Sequence, residues 1–203
     1  MPASPIAIPT NARSRRTRAA LLDAAHHILE DVGFEALTMG AVADRAGVTR
    51  RAVYLHFANR AELVGALFDH IAAAEGLDAS LAQVWDAPDA AAALDAWAQH
   101  LARYHPRLIE VDRALQRTWR QDPDAGAHRK RVAAEQLANC RRLARGLDDE
   151  RRLALGWTAV SAADMLYALI SSDVIERVLV DRGWSRRRLA DQLALLFRST
   201  FVA

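Results

Sequence analysis

The chain has a single cysteine, Cys140, in 203 residues. An internal disulfide is therefore impossible, and no thiol cluster is present to hold a metal. Lysine is as scarce: Lys130 is the sole one, so arginine supplies nearly all of the 27 cations. Long apolar runs are missing. None approaches the roughly 20 residues that span a bilayer, so no membrane partner is expected. The stretch from Met1 to Asn11 has no basic region leading into an apolar one and does not read as a secretory signal. A flexible arm over residues 1–13 and a cytoplasmic location are the expectations. Nucleophile elbow, glycine-rich phosphate loop, HExxH and carboxylate pairs at telling spacing are all absent. The reading is therefore not an enzyme, with no catalytic residue, cofactor or metal. His100 and His105 are five apart, off one helical face, and make no metal site.

Apolar residues make up 52% of the chain, an ordinary globular share. Net charge is only +2, but Arg13, Arg15, Arg16 and Arg18 precede the first acid, Asp23. Arginine suits bidentate contacts to phosphate and guanine. A GC-rich coding bias accounts for the arginine excess equally well. Arg13 to Arg18 fit both a minor-groove arm and a solvated helix end.

Strand-like alternation is absent too, and the pattern is helical almost throughout. A first helix starts near Ser14, carries the stripe Leu21, Ala25, Ile28, Leu29 and Val32 and stops at Gly33. Thr38 caps a second that ends at Gly47, and Thr49 caps a third reaching about His56. Asn59 caps a fourth, with Glu62 in capping-box position. Prolines 88, 106 and 123 sit where helices begin, giving spans of about 88–104, 106–120, 123–145 and 149–181. Ser185 caps the last helix. The expected fold is all-α with about nine helices.

The informative stretch runs from Thr38 to Phe57. A helix-turn-helix needs a small residue where its helices touch and a glycine at the turn. Ala43 and Gly47 stand there, with Val42, Val48 and Val53 placed to bury the inner faces. Arg50, Arg51, Tyr54 and His56 are then free to face outward. Arg50 and Arg51 lie in the first turn of the third helix, the part that enters a major groove, where they reach guanine edges. Arg51 fits a phosphate contact as well, and His56 fits a simple helix cap. Thr38 and Thr49 stand at helix N-termini that favour phosphate. Tyr54, His56 and Arg60 complete the expected backbone contacts, which set register rather than sequence preference. Gly40 costs about 1 kcal/mol in helix propensity, and nothing in the pattern explains it.

The residues from Thr17 to Leu63 resemble the DNA-binding domain of the TetR family of transcription regulators. The matching features are Leu22-Asp23-Ala24-Ala25, Gly33-Phe34, Thr38, the run Val42 to Thr49, the run Val53 to Phe57, and a cation, Arg60, before Leu63. Arg60 replaces the family's usual lysine, and Ala58-Asn59 replaces the frequent Pro-Ser. The resemblance implies a three-helix DNA-binding domain over 14–60, with Arg18 added to its contacts. Residues 61–203 then form a helical effector-binding and dimerisation domain. The implied partners are double-stranded DNA carrying a palindromic operator, a small-molecule effector of unreadable identity and a second copy of the chain.

For the effector, the resemblance points to the middle helices, where Trp85, Trp97, His100, Leu101, Tyr104, His105, Leu115 and Trp119 stand. These aromatics also fit an ordinary core. For the dimer, the helix expected over 149–181 is apolar on more than one face, and the last helix carries a leucine stripe. Trp157, Val160, Ser161, Asp164, Ala168, Leu189, Leu193, Leu196 and Phe197 are the expected interface.

Overall fold

The computed structural model describes residues 11–203, apart from the side chains of Arg107, Glu110, Val111, Asp112, Ala114, Leu115 and Thr118. The described chain is all-α. Its helices are α1 (Ala12–Asp31), α2 (Met39–Arg45), α3 (Arg50–Tyr54), α4 (Arg60–Ala74), α5 (Leu77–Trp85), α6 (Ala90–Thr118), α7 (Pro123–Asp149), α8 (Ala159–Leu169), α9 (Ser172–Glu176) and α10 (Arg186–Phe201). Apart from one isolated bridge between Leu153 and Val202, no β-pairing occurs among the described residues.

The expected caps at the N-terminal end are in place. Thr38 Oγ1 accepts from Ala41 N–H at 3.1 Å, and Thr49 Oγ1 accepts from Ala52 N–H at 3.2 Å. Asn59 Oδ1 accepts from Glu62 N–H at 2.9 Å, while Glu62 accepts from Ala58 N–H at 2.8 Å. Residues 1–10 of the expected arm lie outside the described residues. Its last three do not belong to an arm: Asn11 caps α1 by accepting from Ser14 N–H at 2.7 Å.

Helix α5 was not expected, α1 starts at Ala12 rather than near Ser14, and three later boundaries differ more widely from expectation. Pro106 does not start a helix; it lies inside α6. The buried stripe Trp97, Ala98, Leu101, Ala102, His105 runs up to it and holds the helix together despite the missing N–H. The start expected at Pro88 is two residues late, with Asp89 as the cap of Ala92 N–H at 2.8 Å. The helix expected over 149–181 is three pieces. Arg151 takes φ 56° and Gly156 φ 90°, so α7 ends and α8 begins afresh under a Thr158–Ser161 capping box. Ile170 and Ser171 interrupt again before α9, which runs into a wide turn over 177–181.

The chain forms two compact units. Unit 1 holds the described residues up to Ala74 together with Glu110–Arg129, and unit 2 holds Glu75–Ile109 and Lys130–Ala203. The division therefore falls after α4, not at residue 60. The cause is the α4 stripe Leu63, Val64, Leu67, Phe68 and Ile71, all buried, with Phe68 stacked on the His128 ring at 3.6 Å between centroids. In unit 2 the core is built on Val84, Leu94, Trp97, Leu101, Leu147, Leu166, Phe197 and Phe201. Cys140 is fully buried there, and desolvation pushes its thiol up to about 12, which disfavours the reactive thiolate.

Candidate nucleic-acid interface

In unit 1, α2 and α3 meet as the sequence requires. Ala43 is buried at the contact, its carbonyl accepts from Val48 N–H at 3.0 Å, and Gly47 turns the chain at φ 66°. An L-residue rarely adopts that conformation. Val42 and Val53 are fully buried, and Val48 is half-buried. An ion pair of Arg45 with Asp31 at 2.6 Å fastens α2 to the end of α1. A Cβ on Gly40 would meet only Thr38 Oγ1, at 3.9 Å, so nothing in the structure explains the glycine.

The outer face of α3 is open. Arg50, Arg51 and Tyr54 are exposed, and the Arg50 guanidinium lies 6.0 Å from the Tyr54 ring centre. Among the described residues neither arginine forms an ion pair. Thr38 and Thr49 are exposed as well, and each hydroxyl, having accepted its cap bond, keeps its own hydrogen to donate. Two exposed guanidinium forks in the first turn of α3, with exposed capped N-termini at α2 and α3, can bind a polyanion and read base edges.

Three expected DNA contacts are engaged elsewhere. Arg18 donates to the His56 carbonyl at 2.9 Å and stacks over the Phe57 ring at 4.3 Å, tying α1 to the end of α3. His56 is buried, with Nδ1 lacking a partner, and desolvation first and the Arg18 charge second hold its pKa below the usual value. It is neither outward-facing nor the cap of α3. Arg60 is turned inward onto four acceptors and takes no outward position. Sequence reasoning missed this because long cations at helix starts look alike whether or not acceptors wait behind them. The acceptors here are 23 to 64 residues away.

In unit 2, the aromatic set expected to line a pocket is packed on itself. Trp97 and His100 stack at 5.0 Å, His100 and Tyr104 at 5.5 Å, and Trp85 tilts against Trp97 at 6.3 Å. His100 Nδ1 is hydrogen-bonded to Ser80 Oγ at 2.9 Å, and Leu101 and His105 are buried. The Trp97 indole N–H is buried without an acceptor. Trp119 falls in unit 1, beneath the guanidiniums of Arg120 and Arg129. The Leu115 side chain lies outside those described. An open cleft of about 190 Å³ in unit 2 is lined instead by Gln99, Ala102, Arg103, Arg186, Arg187, Ala190 and Asp191.

The expected dimer surface splits in two. Leu189, Leu193 and Phe197 are buried in the chain's own core, so they are corrected to core residues, and Trp157 packs edge-on against Phe201 at 5.1 Å. Val160, Ser161, Asp164 and Ala168 are exposed along one side of α8, and Leu196 is exposed on α10. Met165 on α8 and Leu195 on α10 belong to the same exposed faces and were not anticipated. A helical wheel finds Met165: positions 160, 161, 164, 165 and 168 share one side.

Two short helices joined by a tight glycine turn, the second open, capped and cationic, define a helix-turn-helix domain. Residues 21–67 match the family model described as bacterial regulatory proteins, tetR family, so this helix-turn-helix is similar to those of that family. The HTH-type transcriptional regulator TtgR of Pseudomonas putida is 42% identical over 62 residues, 30% of this chain and 30% of that protein. The chain thus matches less than a third of this curated relative's length. Over nearly the whole chain the fold is shared with solved structures. The SmeT–triclosan complex has TM-score 0.73 at 20% identity, covering 93% of this chain and 92% of that one. NalD, the secondary repressor of the MexAB-OprM multidrug efflux pump in Pseudomonas aeruginosa, has TM-score 0.67 at 23% identity, covering 93% and 98%. Among the described residues no helix is long and apolar enough to cross a membrane.

Proposed function

We propose that this chain is a cytoplasmic transcription regulator that binds an inverted-repeat operator in double-stranded DNA as a homodimer and acts as a ligand-responsive repressor. The observation that carries the reading is the exposed, Thr49-capped first turn of α3 with Arg50 and Arg51 free of internal ion pairs among the described residues. Selection of bound duplexes from a random pool at two salt concentrations tests it. The expected product is an inverted repeat whose half-sites lie about one helical turn, roughly 34 Å, apart or a multiple of it. Recovery of unrelated sequences, with affinity set by salt alone, would reduce the interaction to electrostatics.

The homodimer is supported by the exposed apolar side chains of α8 and α10, Val160, Met165, Leu195 and Leu196, which a partner surface would remove from water. Val160 is 69% exposed and Leu195 60%. With Ser161 and Ala168 as small neighbours, these helices suit a four-helix contact with two-fold symmetry. Placing glutamates at Val160 and Leu196 together puts charges on a surface that a dimer would dry. Sedimentation at micromolar protein is expected to show a monomer, with operator affinity reduced more than tenfold. A dimer unaffected by both changes would put the interface elsewhere.

Ligand control rests on the unsatisfied Trp97 indole N–H, a buried donor that an acceptor atom of an apolar or aromatic compound would complete. A hundredfold loss of operator affinity on ligand binding corresponds to about 2.7 kcal/mol of coupling. The close packing of Trp85, Trp97, His100 and Tyr104 favours a second reading, a DNA-binding regulator without small-molecule input, such as a constitutive repressor or an activator. A thermal-shift screen of aromatic compounds separates the two.

A further inference from the structure

Arg60 opens α4, and every branch of its guanidinium is directed inward. Nε donates to the Leu37 carbonyl at 2.7 Å and one terminal nitrogen to the Phe34 carbonyl at 3.2 Å. The other terminal nitrogen donates to Asp122 and to Asp124, each at 2.9 Å. The fork also lies over the Phe34 ring at 4.8 Å. The two carbonyls belong to the turn that leads into α2; Leu37 directly precedes the α2 cap, Thr38. Asp122 is itself the cap of α7, accepting from Asp124 and Ala125 N–H at 3.0 and 3.1 Å. One guanidinium therefore joins the start of α4, the approach to α2 and the start of α7, all within unit 1. Helix α7 continues from there into unit 2.

We propose that Arg60 is a positioning residue for DNA reading: through Asp122 and Asp124 it holds the approach to α2 in place, and it makes no phosphate contact. The proposal rests on the DNA-binding reading above and deepens it by naming the link through which movement of α7 would reach the reading head. Charge supports it, because two carboxylates beside the guanidinium cancel its attraction for a polyanion. Shape supports it, because a planar five-donor fork can bridge four acceptors, and a lysine ammonium cannot.

The test pairs Asp122→Asn with Asp124→Asn, since asparagine still caps a helix, and adds Arg60→Lys as a separate variant. Removing two negative charges should tighten binding to DNA if charge alone matters. The positioning role has the opposite outcome: affinity for the selected operator falls about tenfold, affinity for unrelated duplex stays within about twofold, and the salt slope is unchanged. Tighter binding by the double variant, with the slope steeper by about one per protomer, would show a freed Arg60 on phosphate and overturn the proposal. Arg60→Lys keeps the charge, so wild-type operator affinity would also overturn it, and a loss of about tenfold supports it. Amide hydrogen exchange on the DNA-free protein decides the same point independently. Exchange at residues 34–41 is expected to quicken in the double variant, and unchanged exchange there defeats the role. If the wild-type chain selects no operator at all, the function fails while the exchange result still judges the link.

Discussion

Replacing Arg50 and Arg51 together by alanine is expected to lower affinity for the selected operator at least about a hundredfold while leaving the fold intact. Both side chains are exposed, neither has an ion pair among the described residues, and both sit in a capped first turn where alanine is a good helix former. The unfolding free energy should therefore stay within about 0.5 kcal/mol of wild type, as is typical of surface changes. A bidentate arginine–guanine contact contributes about 1–3 kcal/mol of discrimination, and a symmetric dimer loses each contact twice. Single variants separate the two roles open to Arg51. Loss of a base contact relaxes preference at one position of each half-site and leaves the salt slope alone. Loss of a phosphate contact weakens all sequences alike and flattens the slope by about one per contact. Full operator affinity in the double variant would remove α3 as the reading helix.

Acid is expected to destabilise unit 2 well before its carboxylates protonate. Burial drives the pKa of His100 down to about 3, with the nearby His105 and Arg103 adding to the effect, and burial alone drives His105 down to about 4. Unfolded histidine titrates near 6.5. Between those values the unfolded state binds the extra protons, so stability rises with pH and is lost as pH falls below about 6.5. At 1.36 kcal/mol per pH unit, going from pH 7.5 to pH 5 costs roughly 2 kcal/mol for each ring and roughly 4 kcal/mol for both. His56 in unit 1 adds in the same direction. Asp122 does not enter this window: its pKa is held below the usual carboxylate value, its burial being outweighed by Arg60 and by backbone N–H donors, so its stabilisation fades only at lower pH. Urea unfolding at pH 7.5 and pH 5 should show the loss, and His100→Gln should remove about half of it. Equal midpoints at the two pH values would show that both rings are solvated or charged in the native state.

The helix-turn-helix was legible because its constraints are local. Thr38 and Thr49 cap within three residues, Ala43 and Gly47 satisfy a steric rule across one turn, and Val42 and Val53 follow helical periodicity. The second half was legible as helix but not as helices. Pro106 looked like a start because proline lacks a donor, yet burial of the face around Trp97, Leu101 and His105 kept α6 continuous. The break at 150–158 carried its own signals, Gly156 and the Thr158–Ser161 pair, inside a run apolar enough to pass for one long helix. Leu189, Leu193 and Phe197 read as a stripe, but a stripe does not say whether its cover is the same chain or another.

By itself the amino-acid order determined that the chain is helical, where α2, α3 and α4 begin and that the chain turns at Gly47, since each of these depends on groups within about a helical turn of one another. Only the tertiary structure decided which cations are available to a partner. Arg50 and Arg51 stayed outside, whereas Arg18 and Arg60 were drawn onto carbonyls and carboxylates up to 64 residues away. Whether an arginine faces water or an internal acceptor depends on packing between distant elements, and no local spacing records that.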